Sequence, residues 1–98
     1  MKEHELKTDP QVFDDVVEGR KPFEIRKDDR GFEVGDLLKL RKTKYTGAEM
    51  SLAHCPAPLE YVGPPLYVYV TYILRGPIYG LEDGWVIMAI MPRDGHAG

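Results

Sequence analysis

Lys21, Glu24 and Arg26 stand within one octapeptide, Gly19-Arg20-Lys21-Pro22-Phe23-Glu24-Ile25-Arg26. Two cations and a carboxylate at that spacing make a polar recognition set. The cations can meet a phosphate or a carbonyl oxygen, and the carboxylate can accept from an exocyclic amine or a ribose hydroxyl. The same carboxylate can orient a water as general base while the cations stabilise an oxyanion. Plainer roles suit the same residues. Glu24 and Arg26, two apart on a strand, can form a surface ion pair worth under about 1 kcal/mol. Lys21 can neutralise the end of a preceding helix, where the dipole favours cations.

The flanking sequence supplies the elements that position this set. His4 to Lys7 reads as a short extended entry. Asp9 is an expected N-cap with Pro10 at the first helical position, and Thr8 with Gln11 offers an alternative capping box. Val12, Phe13, Val16 and Val17 share one helical face, and Gly19 ends the helix. Pro22 to Lys27 then reads as a strand. Phe23 and Ile25 are expected to point inward, with Glu24 and Arg26 side by side on the other face. Asp28 to Gly31 is a turn cluster, and Phe32 to Asp36 a tight turn around Gly35. Leu37 to Lys42 is a second strand with Leu38 and Leu40 on one face.

Residues 44–65 hold Gly47, Pro56, Pro58, Gly63, Pro64 and Pro65 and read as a long irregular segment, either a lid or a mobile insertion. Leu66 to Leu74 is the clearest strand, with Leu66, Val68, Val70, Tyr72 and Leu74 expected on one face. Gly84 to Met91, apolar on both faces, is expected to be central or covered. Residues 93–98 are expected to be a frayed tail. One early helix followed by irregularly spaced strands predicts a small α+β, barrel-like domain.

Composition narrows the class. The chain has 98 residues, 43% hydrophobic and 30% charged, which suits one soluble domain over 1–98. No apolar run approaches the roughly 18 residues of a membrane span, so no membrane association is expected. From the polar start, Met1 to Glu5, no secretory signal is expected, and the single Cys55 fits a reducing compartment. A cytoplasmic protein of bacterial or phage type is the expectation. The net charge of -3 hides a basic stretch, because nine of the thirteen Lys and Arg fall in residues 20–44. Such a face can attract phosphates or can simply keep strand edges soluble.

Gly19, Lys21, Glu24 and Arg26 match the G-x-K-x-x-E-x-R signature of ASCH domains, and the chain resembles that family of the PUA-like superfamily. Phe23 to Lys27, Asp29-Arg30, Phe32-x-Val34-Gly35-Asp36-x-Leu38-x-Leu40, Val70 to Leu74 and Gly84 to Met88 follow in the order of a small ASCH-like family of unknown function common in phages and prophages. The resemblance spans about residues 3–91, apart from an insertion at 48–65. It implies a PUA-like pseudo-β-barrel with an early flanking helix and a cleft lined by the signature. It also implies binding of RNA, a nucleotide or a modified nucleoside. A related activity, amide hydrolysis of N4-acetylcytidine, is attributed in a similar enzyme to a Lys, a Thr and a Glu. The Lys matches Lys21, the Thr position is occupied by Glu24, and Glu82 stands at roughly the place of the Glu. A threonine mechanism therefore does not carry over.

Other residues complete the expectation. Arg20, Lys27 and Arg30 can contact phosphates or remain solvated. Lys39, Arg41, Lys42 and Lys44 can form a phosphate track along the second strand or a solubility face. Tyr67 and Tyr69 can stack bases or pack beneath the insertion. Trp85 reads as core. His4, His54, Cys55 and His96 lack ligand spacing, so no metal is expected, and no P-loop or dinucleotide fingerprint suggests a cofactor. The expected function is a binding cleft for RNA, a nucleotide or a nucleoside. The alternatives are an amide hydrolase and a non-catalytic phage accessory module whose signature is architectural.

Overall fold

Along residues 3–8 the charged Glu3, Glu5 and Lys7 are exposed, whereas His4, Leu6 and Thr8 are buried. That alternation makes strand β1 (Glu3–Thr8) of the segment expected to be a mere extended entry. The computed structural model describes residues 1–93, so of the expected tail only Arg93 is described. After β1 come α1 (Pro10–Val17), β2 (Phe23–Lys27), β3 (Leu37–Lys42), α2 (Gly47–Met50), β4 (Leu66–Arg75) and β5 (Trp85–Pro92). The strands form one mixed sheet in the order β1-β3-β4-β5-β2, parallel between β1 and β3 and antiparallel elsewhere. β5 is interior, as its apolar faces predict.

The sheet is curled into a half-barrel, so the fold is α+β and barrel-like. Side chains show the curl directly. Arg26 on edge strand β2 donates to the Lys7 carbonyl on the opposite edge strand, β1, at 2.9 Å. Arg30, just past β2, donates to the Glu5 carbonyl at 2.9 Å. The carbonyls of Lys2 and Thr8 face β3, accepting from Leu37 and Thr43. By strand alternation those of Glu5 and Lys7 face the open edge. Two arginines therefore satisfy successive carbonyls that would otherwise lack partners, standing where backbone pairing would close a full barrel.

The concave side is the core: Leu6, Leu38, Leu40, Val68, Val70, Val86, Met88 and Ile90 from the sheet, Phe13 from α1 and Phe32 from the turn before β3. Each such side chain contributes about 1.5–3 kcal/mol on burial. One expected facing is reversed and another holds only in part. In β2, Phe23 and Ile25 are 40% and 47% exposed, while Glu24 is buried. β2 is an edge strand whose inward face meets the polar seam with β1 rather than the apolar core, so its charged residues turn in. In β4 the register slips between Val70 and Tyr72, leaving Thr71 as an extra residue. This bulge turns Tyr72 outward and lets Ile73 pack on the core, so the simple alternation predicted for the whole strand ends at Val70.

The helix begins as expected with Pro10 in its first turn, but the Asp9 side chain caps nothing in α1. Its Oδ1 instead accepts from the Gly47 amide at 2.9 Å, and Thr8 closes β1 rather than a capping box. Phe13 is the buried residue of the apolar face, and Val17 at the open end is exposed. Residues 44–65 are irregular, as expected, apart from one short helix and a pairing of their ends. Lys44 and Val62 pair with Glu60 and Lys42, and a Thr46–Glu49 capping box starts α2.

Candidate functional site

The turn after α1 places the first signature side chain. Gly19 has φ +79, and the chain folds back so that the amides of Arg20 and Lys21 both donate to the Asp15 carbonyl, at 2.9 and 3.1 Å. Glycine takes this left-handed conformation without the steric cost of a side chain. The reversal sends Lys21 back over the start of β2. Its ammonium donates to the Phe23 carbonyl at 2.7 Å and to Glu24 Oε1 at 3.2 Å, and lies 4.8 Å from the centre of the Phe23 ring.

Glu24 is the hub. Its side chain is 2% exposed, against 16% for Lys21 and 23% for Arg26. Arg26 Nε donates to Glu24 Oε2 at 3.1 Å. Each carboxylate oxygen thus has one charged donor, which offsets the desolvation a lone buried carboxylate would suffer. Each oxygen also keeps capacity for a further hydrogen bond. Arg26 continues across the seam to the Lys7 carbonyl and, at 3.4 Å, to the Thr8 hydroxyl. The pair expected on the surface is a largely buried triad that joins both edges of the sheet.

A cleft of about 360 Å³ opens on this triad. Lys7, Thr8 and Asp9 line it from the end of β1, Val12 from α1, Lys27 from β2 and Trp85 from β5. Its charged lining is four cations, Lys7, Lys21, Arg26 and Lys27, against Asp9 and Glu24. A second cleft of about 940 Å³ lies beyond Lys21, which lines both. That larger cleft is walled by the end of α1 and by residues such as Pro22, Leu66, Tyr67 and Arg93.

The structure separates the remaining sequence candidates. Lys27 joins the triad at the cleft. Arg20 is exposed and pairs with Asp15 at 2.8 Å and with Glu18. Its guanidinium, helped by Gln11, holds the Asp15 carboxyl below its ordinary value. Arg30 serves the Glu5 carbonyl and lines neither cleft. Tyr67 lines the larger cleft, and Tyr69 lines neither. Glu82 is exposed in the turn before β5 and lines neither cleft. Trp85, expected in the core, is half-buried at the triad's cleft instead. Of residues 44–65 only Pro65 lines a cleft, the larger one. His4 belongs to a separate buried pair with Asp36, His54 and Cys55 are exposed, and His96 lies outside the described residues.

Sequence reading missed Lys7, Thr8, Asp9 and Val12 as cleft residues. They reach it only because β1 and β2, far apart in sheet order, meet at the seam. The alternating Glu-His-Glu-Leu-Lys-Thr pattern could have identified β1, but not its neighbour across the opening. No helix among the described residues is long and apolar enough to cross a membrane. No curated protein matches this chain. Residues 3–90 match the model of the family described as Domain of unknown function (DUF3850), and the chain belongs to that family.

Proposed function

We propose that the Lys21–Glu24–Arg26 cleft binds one nucleotide or modified nucleoside, free or within RNA. The observation that carries this reading is the buried Glu24 carboxylate, fixed through both oxygens by two cations on the floor of an electropositive cleft. A preorganised carboxylate accepts from an exocyclic amine or ribose hydroxyl. Lys7 and Lys27 offer charge for a phosphate, and Trp85 offers an aromatic surface for a base. The volume lies within the range of small-molecule clefts. Kinship with ASCH domains and the PUA-like superfamily belongs to the same proposal. It is supported by the signature, by the order of the matching segments and by a curled sheet with one early helix.

An architectural reading has its own support, because Arg26 satisfies the edge carbonyl of Lys7. The two readings separate under substitution. Lys21 makes no bond across the seam, so Lys21→Ala should abolish nucleoside binding while keeping the Arg26 contacts that join the sheet edges, at some cost in stability from the donor lost by the buried Glu24. Retained affinity would favour architecture alone. Amide hydrolysis has less behind it. Thr8 brings a hydroxyl to the cleft, but its contacts are the Leu6 carbonyl and Arg26, neither of which activates a nucleophile. Acetate release from N4-acetylcytidine, lost in Lys21→Ala, would establish the hydrolase reading in place of simple binding.

A further inference from the structure

We propose that the outer face of β1, β3 and β4, which meets the triad's cleft at Lys7 and the larger cleft at Tyr67 and Arg93, is a docking surface for single-stranded nucleic acid. Pairing puts Glu5, Lys39 and Tyr67 in one cross-strand row and Lys7 beside Arg41 in the next. The row on the other side ends in Tyr69. Arg41 lies 4.1 Å over the ring of Tyr61, which bridges the strand beyond β3, and Arg93 lies 4.1 Å over the ring of Tyr67. Three cations, Lys39, Arg41 and Arg93, thus interleave with three tyrosines, and Lys7, which also lines the triad's cleft, flanks them. The carboxylates of these rows are Glu3 and Glu5, and Glu5 sits 3.4 Å from Lys39 and 3.7 Å from Arg41.

Charge complementarity and planar surfaces together select the occupant. A guanidinium lying on a tyrosine keeps its second face for a base, and its edge for a phosphate. Arg41 Nε is buried without a hydrogen-bond partner, so this side chain is held by stacking rather than by a full set of acceptors. A phosphate backbone supplies acceptors for Lys39 and for the outer edge of Arg41, while bases meet the aromatic and guanidinium planes. A duplex, with its bases stacked inside, would use the charges alone. This surface does not depend on the cleft being a nucleoside site.

The test is fluorescence anisotropy of a labelled oligouridine about twelve nucleotides long, titrated at low and moderate salt. Binding is expected, and Tyr67→Leu should weaken it about tenfold while Tyr67→Phe retains it. The Lys39→Ala, Arg41→Ala double variant should weaken it further and flatten the logarithmic salt dependence by about 1.4, the loss of two phosphate contacts on a single strand. Arg20→Ala, which removes a cation outside this face, should bind as the wild type does. The proposal is overturned by no anisotropy change at low salt, by face variants that bind undiminished, or by equal weakening in Arg20→Ala. Equal competition from inorganic polyphosphate would also overturn it, because stacking would then contribute nothing.

Discussion

Glu24 carries the account at the scale of single residues. Its side chain is buried on the cleft floor and has one charged donor on each carboxylate oxygen. Removing it leaves two cations facing each other without a counter-charge. Glu24→Ala should therefore destabilise the fold by about 3 kcal/mol, the lower end for a broken buried pair, since Lys21 and Arg26 retain some solvent contact. Urea denaturation of the variant measures this. Arg26→Lys keeps the charge beside Glu24 but loses the fork that also reaches the Lys7 carbonyl, with an expected cost of about 1 kcal/mol by the same measurement. The identities of these residues and their closeness were legible in the sequence. Their direction was not. Phe-Glu-Ile-Arg read alone puts the apolar residues inside, and only the seam between β2 and β1 turns the charged ones inward.

At the scale of elements, the turn from α1 into β2 aims Lys21. An added Cβ at Gly19 would meet nothing within 4 Å, so substitution there is opposed by backbone conformation alone. Gly19→Ala should cost about 1–2 kcal/mol, read as a shift in the urea midpoint with an unchanged slope. The helix, its proline start and its glycine end were readable from local chemistry. So were β3, β5 and most of β4, where apolar residues alternate or run on. The bulge at Thr71 was not readable, because the slip is set by pairing with β5. The Thr46–Glu49 capping box that starts α2 is a local signature, whereas the bond from the Gly47 amide to Asp9 was hidden because it joins distant parts of the chain.

At the scale of the whole molecule, a polar lock at the opposite end of the seam couples stability to pH. Asp36, 2% exposed, accepts from His4 at 2.9 Å and from the amides of Lys2 and Glu33. Burial alone would raise its pKa, but these donors outweigh it and hold the carboxyl below its ordinary value of 3.8. Asp28 behaves alike: burial raises, while the amides of Phe32 and Gly31 and the Arg75 side chain lower it further. A lowered folded-state pKa contributes stability that is fully present above the unfolded value and lost as pH falls through the folded one. Urea midpoints should therefore hold from neutral pH to about 5 and fall below about 4, with a shallower decline in Asp36→Asn. The central claim is that the triad's cleft takes a nucleoside unit, and amide chemical-shift titration with cytidine, its acetylated form and the four nucleoside monophosphates tests it most directly. The account predicts saturable shifts gathered at Lys7 to Val12, Lys21 to Lys27 and Trp85, absent in Lys21→Ala. No shifts at millimolar ligand, or shifts confined to other surfaces, would contradict it.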